Sequence, residues 1–172
     1  MLAVPPAILW LGGLAAQRLT VRGRPVTIAS GIPAGVLAAG SAALMAAAAY
    51  EFRRARTTVD PMVPELASTL VTSGVLAASR NPMYLGFVGI LVARALAHRS
   101  WKALVPAVAF AFAMDRWQIP AEEAALTDRF GRSYLGYRRD VPRWVGGRSR
   151  VGGIVPRQLG GGERECQPRP FR

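Results

Sequence analysis

From Ile28 to Tyr50 the chain carries no charged residue. A helix rises about 1.5 Å per residue, so this run can cross a hydrocarbon core of roughly 30 Å. A soluble core helix has no need of so long an apolar run, and a fully buried soluble helix is the alternative it leaves. The rest of the chain divides the same way, into apolar spans and basic flanks. Hydrophobic residues make up 51% of it, yet the formal net charge is +12. Of the 22 basic residues all but Lys102 are arginine, and they mainly flank the apolar stretches. That placement points to an anionic membrane surface and away from nucleic acid. One cysteine, Cys166, and one histidine, His98, exclude a disulfide framework and argue against a His/Cys metal site.

Four spans are predicted. The first, Leu2 to Ala16, precedes Arg18, Arg22 and Arg24. No basic residue comes before it, as one would in a secretory signal, so it is read as a retained helix. In the second, Ile28 to Tyr50, the small residues Gly35, Gly40 and Ser41 would let a neighbouring helix approach closely. The third and fourth, Met83 to Ala97 and Trp101 to Met114, form a helical hairpin turning at His98-Arg99-Ser100. Arg94, near the end of the third, can snorkel to the headgroups or serve as a functional intramembrane charge. Trp101, Trp117 and Trp144 fall at segment ends, where water and headgroups suit an indole.

Ile119-Pro120 is expected to open a new helix, with proline at its first position and Glu122-Glu123 in its first turn. Leu126, Phe130, Tyr134 and Tyr137 recur on it at helical spacing among arginines, the pattern of an amphipathic helix lying on the bilayer, and Gly131 weakens its middle. The expected fold is therefore an all-α integral membrane protein of about four transmembrane helices, the last two a hairpin, followed by a cytoplasmic amphipathic helix. It divides into transmembrane helices at 1–50, a core at 51–145, and a Gly-, Arg- and Pro-rich tail at 146–172 expected to be disordered. Counting Lys and Arg on either side puts the C-terminus in the cytoplasm, in an inner membrane of bacterial type.

The polar motifs gather at one mouth of the hairpin: Arg80-Asn81-Pro82-Met83-Tyr84-Leu85-Gly86 before it, and Glu122-Glu123 with Phe130-Gly131-Arg132-Ser133-Tyr134 after it. Singly these read as helix caps, Asn81 as N-cap and Pro82 at the first position. Together, from about Thr57 to Trp144, they resemble the isoprenylcysteine carboxyl methyltransferase family, whose relatives include the phospholipid methyltransferases.

The resemblance implies S-adenosylmethionine as methyl donor and a pocket open to lipid for a lipophilic acceptor, with a carboxyl group the expected target. A phospholipid amine or a small hydrophobic metabolite is the alternative acceptor, and a non-catalytic membrane protein of the same fold the alternative class. By the same resemblance Leu70, Val71, Asn81, Pro82, Met83, Tyr84, Glu122 and Glu123 would hold the donor, and Gln118 would face the acceptor. Asn81 stands in place of a histidine, Leu76 of a tyrosine and Gln118 of an arginine. Methyl transfer to a carboxylate needs alignment and exclusion of water and no general base. Arg80 and Glu123 would be the catalytic residues: Arg80 would orient an acceptor carboxylate or hold a glutamate, and Glu123 would be the base for an amine. No metal and no nucleic acid enters this reading, and the bilayer is the implied partner. Truncation after Trp144 is expected to leave binding of S-adenosylmethionine in detergent unchanged by calorimetric titration, with only some affinity for anionic bilayers lost.

Overall fold

The computed structural model describes residues 4–22, 25–57 and 68–145, and all regular structure among them is helical. Arg24, most of the polar stretch after Thr57, and the 146–172 tail with Cys166 lie outside the described residues. Helix α1 (Pro6–Val21) begins with proline at its first position. Helix α2 (Ile28–Arg54) opens on a capping box in which Thr27 and Ser30 satisfy each other's backbone N–H groups. It is the one described helix long and apolar enough to cross a membrane, and only 17% of its apolar stretch is buried. A helix at the centre of a soluble core would be covered on all sides. It outruns the expected end at Tyr50 by a turn, and Glu51 in that turn accepts a hydrogen bond from Ser73 Oγ at 2.5 Å.

Helix α3 (Pro82–Ala97) is shorter and apolar. Arg99, two residues past its end, has a φ of 48°, matched after α2 by Arg56 at 52°. A single 3-10 turn (Trp101–Ala103) leads into α4 (Leu104–Ala113). Here the structure corrects the expectation of a new helix at Ile119-Pro120. The chain stays helical from Leu104 to Phe130 through a π-helical turn, Met114–Gln118, into α5 (Ile119–Phe130). Pro120 has no N–H for the carbonyl four residues back and its ring would collide with it. The widened turn just before it relieves both problems without ending the helix. Gly131, at φ 52°, then breaks the expected amphipathic helix, and α6 (Arg132–Asp140) follows as a separate element.

Side chains bonded to backbone carbonyls hold α1–α4 together. Trp10 Nε1 donates to Phe87 O at 3.0 Å. Gln17, fully buried, donates to Leu91 O at 2.8 Å and to Ala103 O at 2.7 Å. Ser30 Oγ donates to Ala97 O at 2.7 Å, and Ser100 Oγ to Thr20 O at 3.1 Å. The ends Val21, Ser30, Ala97 and Ser100 therefore share one end of the bundle. Asn81, Met114 and everything after lie at the other. The core between them is Leu91, Ala107, Phe110, Met114, Ile119 and Tyr84, with Trp10 and Phe87 stacked against it. Large apolar side chains remain exposed along α1, α2 and α4, among them Leu11, Ile32, Val36, Val108 and Phe112.

The α2–α3 contact is the tightest in the bundle, and its small residues differ from those expected. Of the three on α2, Ser41 lies in the contact, whereas Gly35 and Gly40 face open space. The close approach is made from the other side, by Gly86 and Gly89 of α3. A Cβ on Gly86 would lie 2.9 Å from Ser41 O, and one on Gly89 would collide with Ser41 Oγ. Gly86→Leu is accordingly expected to cost about 1–3 kcal/mol of stability. Gly35→Leu and Gly40→Leu should leave it unchanged, and thermal unfolding in detergent checks the contrast.

Candidate functional site

From the last residue of the π turn onward, one helical face carries Gln118 and Glu122 at i and i+4, and Glu123 stands beside them. Each acid has its own set of partners. Glu123 is buried and its carboxylate is taken up by arginines: Arg143 Nη2 reaches Oε2 at 2.8 Å, and Arg143 Nε and Arg80 Nη1 reach Oε1 at 3.2 and 3.0 Å. Arg138 Nε stands at 3.9 Å from Oε2. Glu122 draws its hydrogen bonds from neutral groups, the Tyr84 hydroxyl and Gln118 Nε2 at 2.8 Å, both on Oε1. Burial pushes the Glu122 carboxyl up to about 7. The two hydrogen bonds oppose that shift, and the charge of Glu123 adds to it.

A returning segment closes this end of the bundle. After α6 the backbone straightens at Val141 and lies back across the start of α3. Arg80 N donates to Pro142 O at 3.0 Å, and Asn81 Nδ2 donates to Arg143 O at 2.9 Å. Asn81 is thus not the side-chain N-cap of α3 that its place before Pro82 suggested: its amide holds the returning strap. Arg143 Nη1 also reaches Asp115 Oδ1 at 3.1 Å, and Trp144 Nε1 donates to the same oxygen at 2.9 Å. The Trp144 indole, then Arg143, hold the Asp115 carboxyl below the usual carboxylate range. Glu123 and Asp115 together hold the Arg143 guanidinium above its ordinary value. Tyr134 is buried beside Arg80 and Glu123, and burial followed by the Glu123 charge pushes its phenol up.

Of the residues singled out in the sequence, Tyr84, Gln118 and Glu122 form one hydrogen-bonded set and Arg80, Asn81 and Glu123 join a second through Arg143, the two meeting only where Glu122 and Glu123 are neighbours in the chain. Pro82 is buried and Met83 half-buried at the first turn of α3. Leu70 and Val71 belong to the segment leading to a 3-10 turn (Gly74–Ala77) that packs on the end of α2, and they take no part in the hydrogen bonds of the network. Leu76, in place of an aromatic, accepts a hydrogen bond from Tyr137 OH at 2.7 Å. Sequence reasoning missed Asp115 and the roles of Arg143 and Trp144. One signal pointed to them: Val141-Pro142, which marks extended backbone able to return.

A comparison with protein families matches residues 30–133 to the family described as phospholipid methyltransferase. The chain belongs to the phospholipid methyltransferase family. That family stands in the same group as the isoprenylcysteine carboxyl methyltransferases and implies methyltransferase activity. Together with the apolar α2, it fits an integral membrane protein. The match takes in Arg80, Tyr84, Gln118, Glu122 and Glu123. Helix α1 and the strap at 141–144 lie outside it. No curated protein and no solved structure matches the chain.

The adjacent acids should respond oppositely to removal of charge. Glu123→Gln strands two arginines against a neutral amide and is expected to cost about 3–5 kcal/mol. Glu122→Gln removes a carboxyl whose folded-state pKa is raised. The wild-type group contributes stability below the ordinary glutamate range and loses it as pH rises through about 7. At pH 8 this amide variant should unfold at a higher temperature than wild type, and the gap should close below pH 5. Thermal melts across that range check both.

Proposed function

We propose that this protein transfers a methyl group from S-adenosylmethionine to a nucleophile carried by a membrane lipid, at the bundle end where α3 begins and α5 starts. The observation that carries the reading is the Glu122 carboxyl, held by Tyr84 and Gln118 beside the Arg80–Glu123 ion pair, at the mouth of an apolar helical bundle. In this reading α1–α4 cross the bilayer, α3 and α4 as a hairpin, and the site faces the cytoplasm. Arg53, Arg54, Arg56, Arg116 and the arginines of α5 and α6 crowd the site's end, against Arg18, Arg22, Arg99 and Lys102 at the other.

The residues present suit the donor. Its amino-acid end is zwitterionic, and the site offers groups of both signs. Arg80 Nε is buried without a hydrogen-bond partner and is free to donate to a carboxylate, and Glu122 can face an ammonium. When bound, S-adenosylmethionine supplies an electrophilic methyl on a cationic sulfur. The chain then has to hold the acceptor in line, keep water away, and leave the acceptor unprotonated.

The geometry bears on which acceptor is taken. Glu123, saturated by arginines, is better suited to fixing Arg80 and Arg143 than to moving a proton. Glu122, with a carboxyl near neutrality, suits a proton acceptor, and a lipid amine must lose a proton before it can attack. A headgroup amine is therefore the favoured acceptor. The carboxyl acceptor is the second reading, supported by Arg80, which can orient a carboxylate.

Methyl transfer from labelled donor to phosphatidylethanolamine vesicles or to a prenylated cysteine separates the two. For the amine, kcat/KM should rise with pH through about 7 as Glu122 ionises. Glu122→Gln should lose that limb and at least tenfold in rate. Transfer to the carboxylate alone, with Glu122→Gln keeping the wild-type pH profile, would assign Glu122 to donor binding. No binding of the donor in detergent would leave the non-catalytic class.

A further inference from the structure

At the bundle end opposite the methyltransferase site, a groove of about 300 Å³ opens between the last turns of α3 and the start of α4. It is lined by Val92, Ala95, Leu96 and Leu104, with the buried Ser100 and the exposed Arg99 and Trp101. The groove runs on into an exposed stripe along α4, Leu104, Val105, Val108 and Phe112, at helical spacing. Lys102 lies over the Trp101 ring, 5.8 Å from its centroid. The chain has no Asp or Glu from Met1 to Tyr50 or from Asn81 to Met114. Every formal charge on the described ends of α1–α4 here, including Arg18 and Arg22, is therefore positive.

The turn itself is unusual. Arg99 N donates to Leu96 O and Ser100 N to Ala95 O, both at 3.0 Å, closing α3 in the paired pattern that normally has glycine in the left-handed position. Here that position, at φ 48°, is held by Arg99. The backbone bears a cost that glycine would avoid, and the residue that bears it is a charged one lining an apolar groove.

We propose that this groove seats one anionic phospholipid of the leaflet opposite the methyltransferase site, its phosphate on Arg99 and Lys102 and an acyl chain running from the groove along the α4 stripe. Trp101 sits at the depth where an indole favours the boundary between chains and headgroups. A second copy packed on the same face would bring cation against cation, so the charge pattern favours a lipid. The inference does not rest on the methyl-transfer reading, since no residue of that site takes part.

The test is native mass spectrometry of the purified full chain offered palmitoyl-oleoyl phosphatidylglycerol or phosphatidylcholine. Wild type should retain one phosphatidylglycerol per chain in preference to phosphatidylcholine. Arg99→Gly with Lys102→Gln should lower that retention at least tenfold, about fivefold being expected for each cation removed. Leu104→Trp, which fills the groove and keeps both charges, should lower it as well. Arg99→Gln and Lys102→Gln taken singly should each weaken retention of phosphatidylglycerol about fivefold and leave that of phosphatidylcholine unchanged, a charge-selective loss that a merely structural role would not give. Equal retention of the two lipids, wild-type retention in the double variant, displacement by glycerol phosphate alone, or a second copy crosslinked through Leu96 would each overturn the proposal.

Discussion

The buried carboxylate of Glu123 is the point on which the site's shape depends. It joins α5 to the segment before α3 through Arg80, and to the returning strap through Arg143. Arg143 passes the connection on to Asp115 in the π turn, and its carbonyl receives Asn81. Arg80 and Arg143 answer the buried Glu123 charge at close range, Arg138 stands further off and more exposed, and Asp115 answers Arg143, which is what allows Glu123 to be buried ionised. Its neighbour Glu122 stays outside that balance and draws on neutral donors, so desolvation sets its behaviour. Adjacent residues of one type are thus given different work by their surroundings.

The bundle beneath leaves much of its apolar surface uncovered, which fits the membrane setting that the family and the apolar α2 support. Apolar side chains on α1, α2 and α4 face outward, while Leu91, Phe110, Met114 and Ile119 pack inside. Contact is made where small residues let backbones meet, Gly86 and Gly89 against Ser41, and where polar side chains reach carbonyls of other helices. Gln17 does this twice from one amide group, tying the middle of α3 to the start of α4.

Much of this was legible in the sequence. The uncharged run of α2 and the basic flanks carried the membrane reading, and Arg80–Tyr84 and Glu122-Glu123, paired in the sequence, do lie at one end of the bundle. What stayed hidden were features set by three-dimensional phase. Gly35 and Gly40 look like packing residues as much as Gly86 does, but which side of α2 meets α3 is not written in α2 alone. Asn81-Pro82 reads as a helix cap until the strap arrives from Arg143, some sixty residues away. Ile119-Pro120 carries every local mark of a helix start, and only Met114 and Ile119 packed in one core show that the helix never stopped.

The π turn has a further meaning when α4 and α5 are regarded as a single rotating shaft. An α-helix advances about 100° per residue around its axis. A turn with one residue more than the regular count therefore changes the angular setting of everything after it relative to everything before. Without it, with α4 held in the core, the residue facing Tyr84 and the residue facing Arg80 and Arg143 would each be turned by roughly that angle. The extra residue thus works as a phase adjustment. It sets which glutamate is locked into the frame and which is presented beside Tyr84, a choice that the Glu122-Glu123 pair by itself does not make.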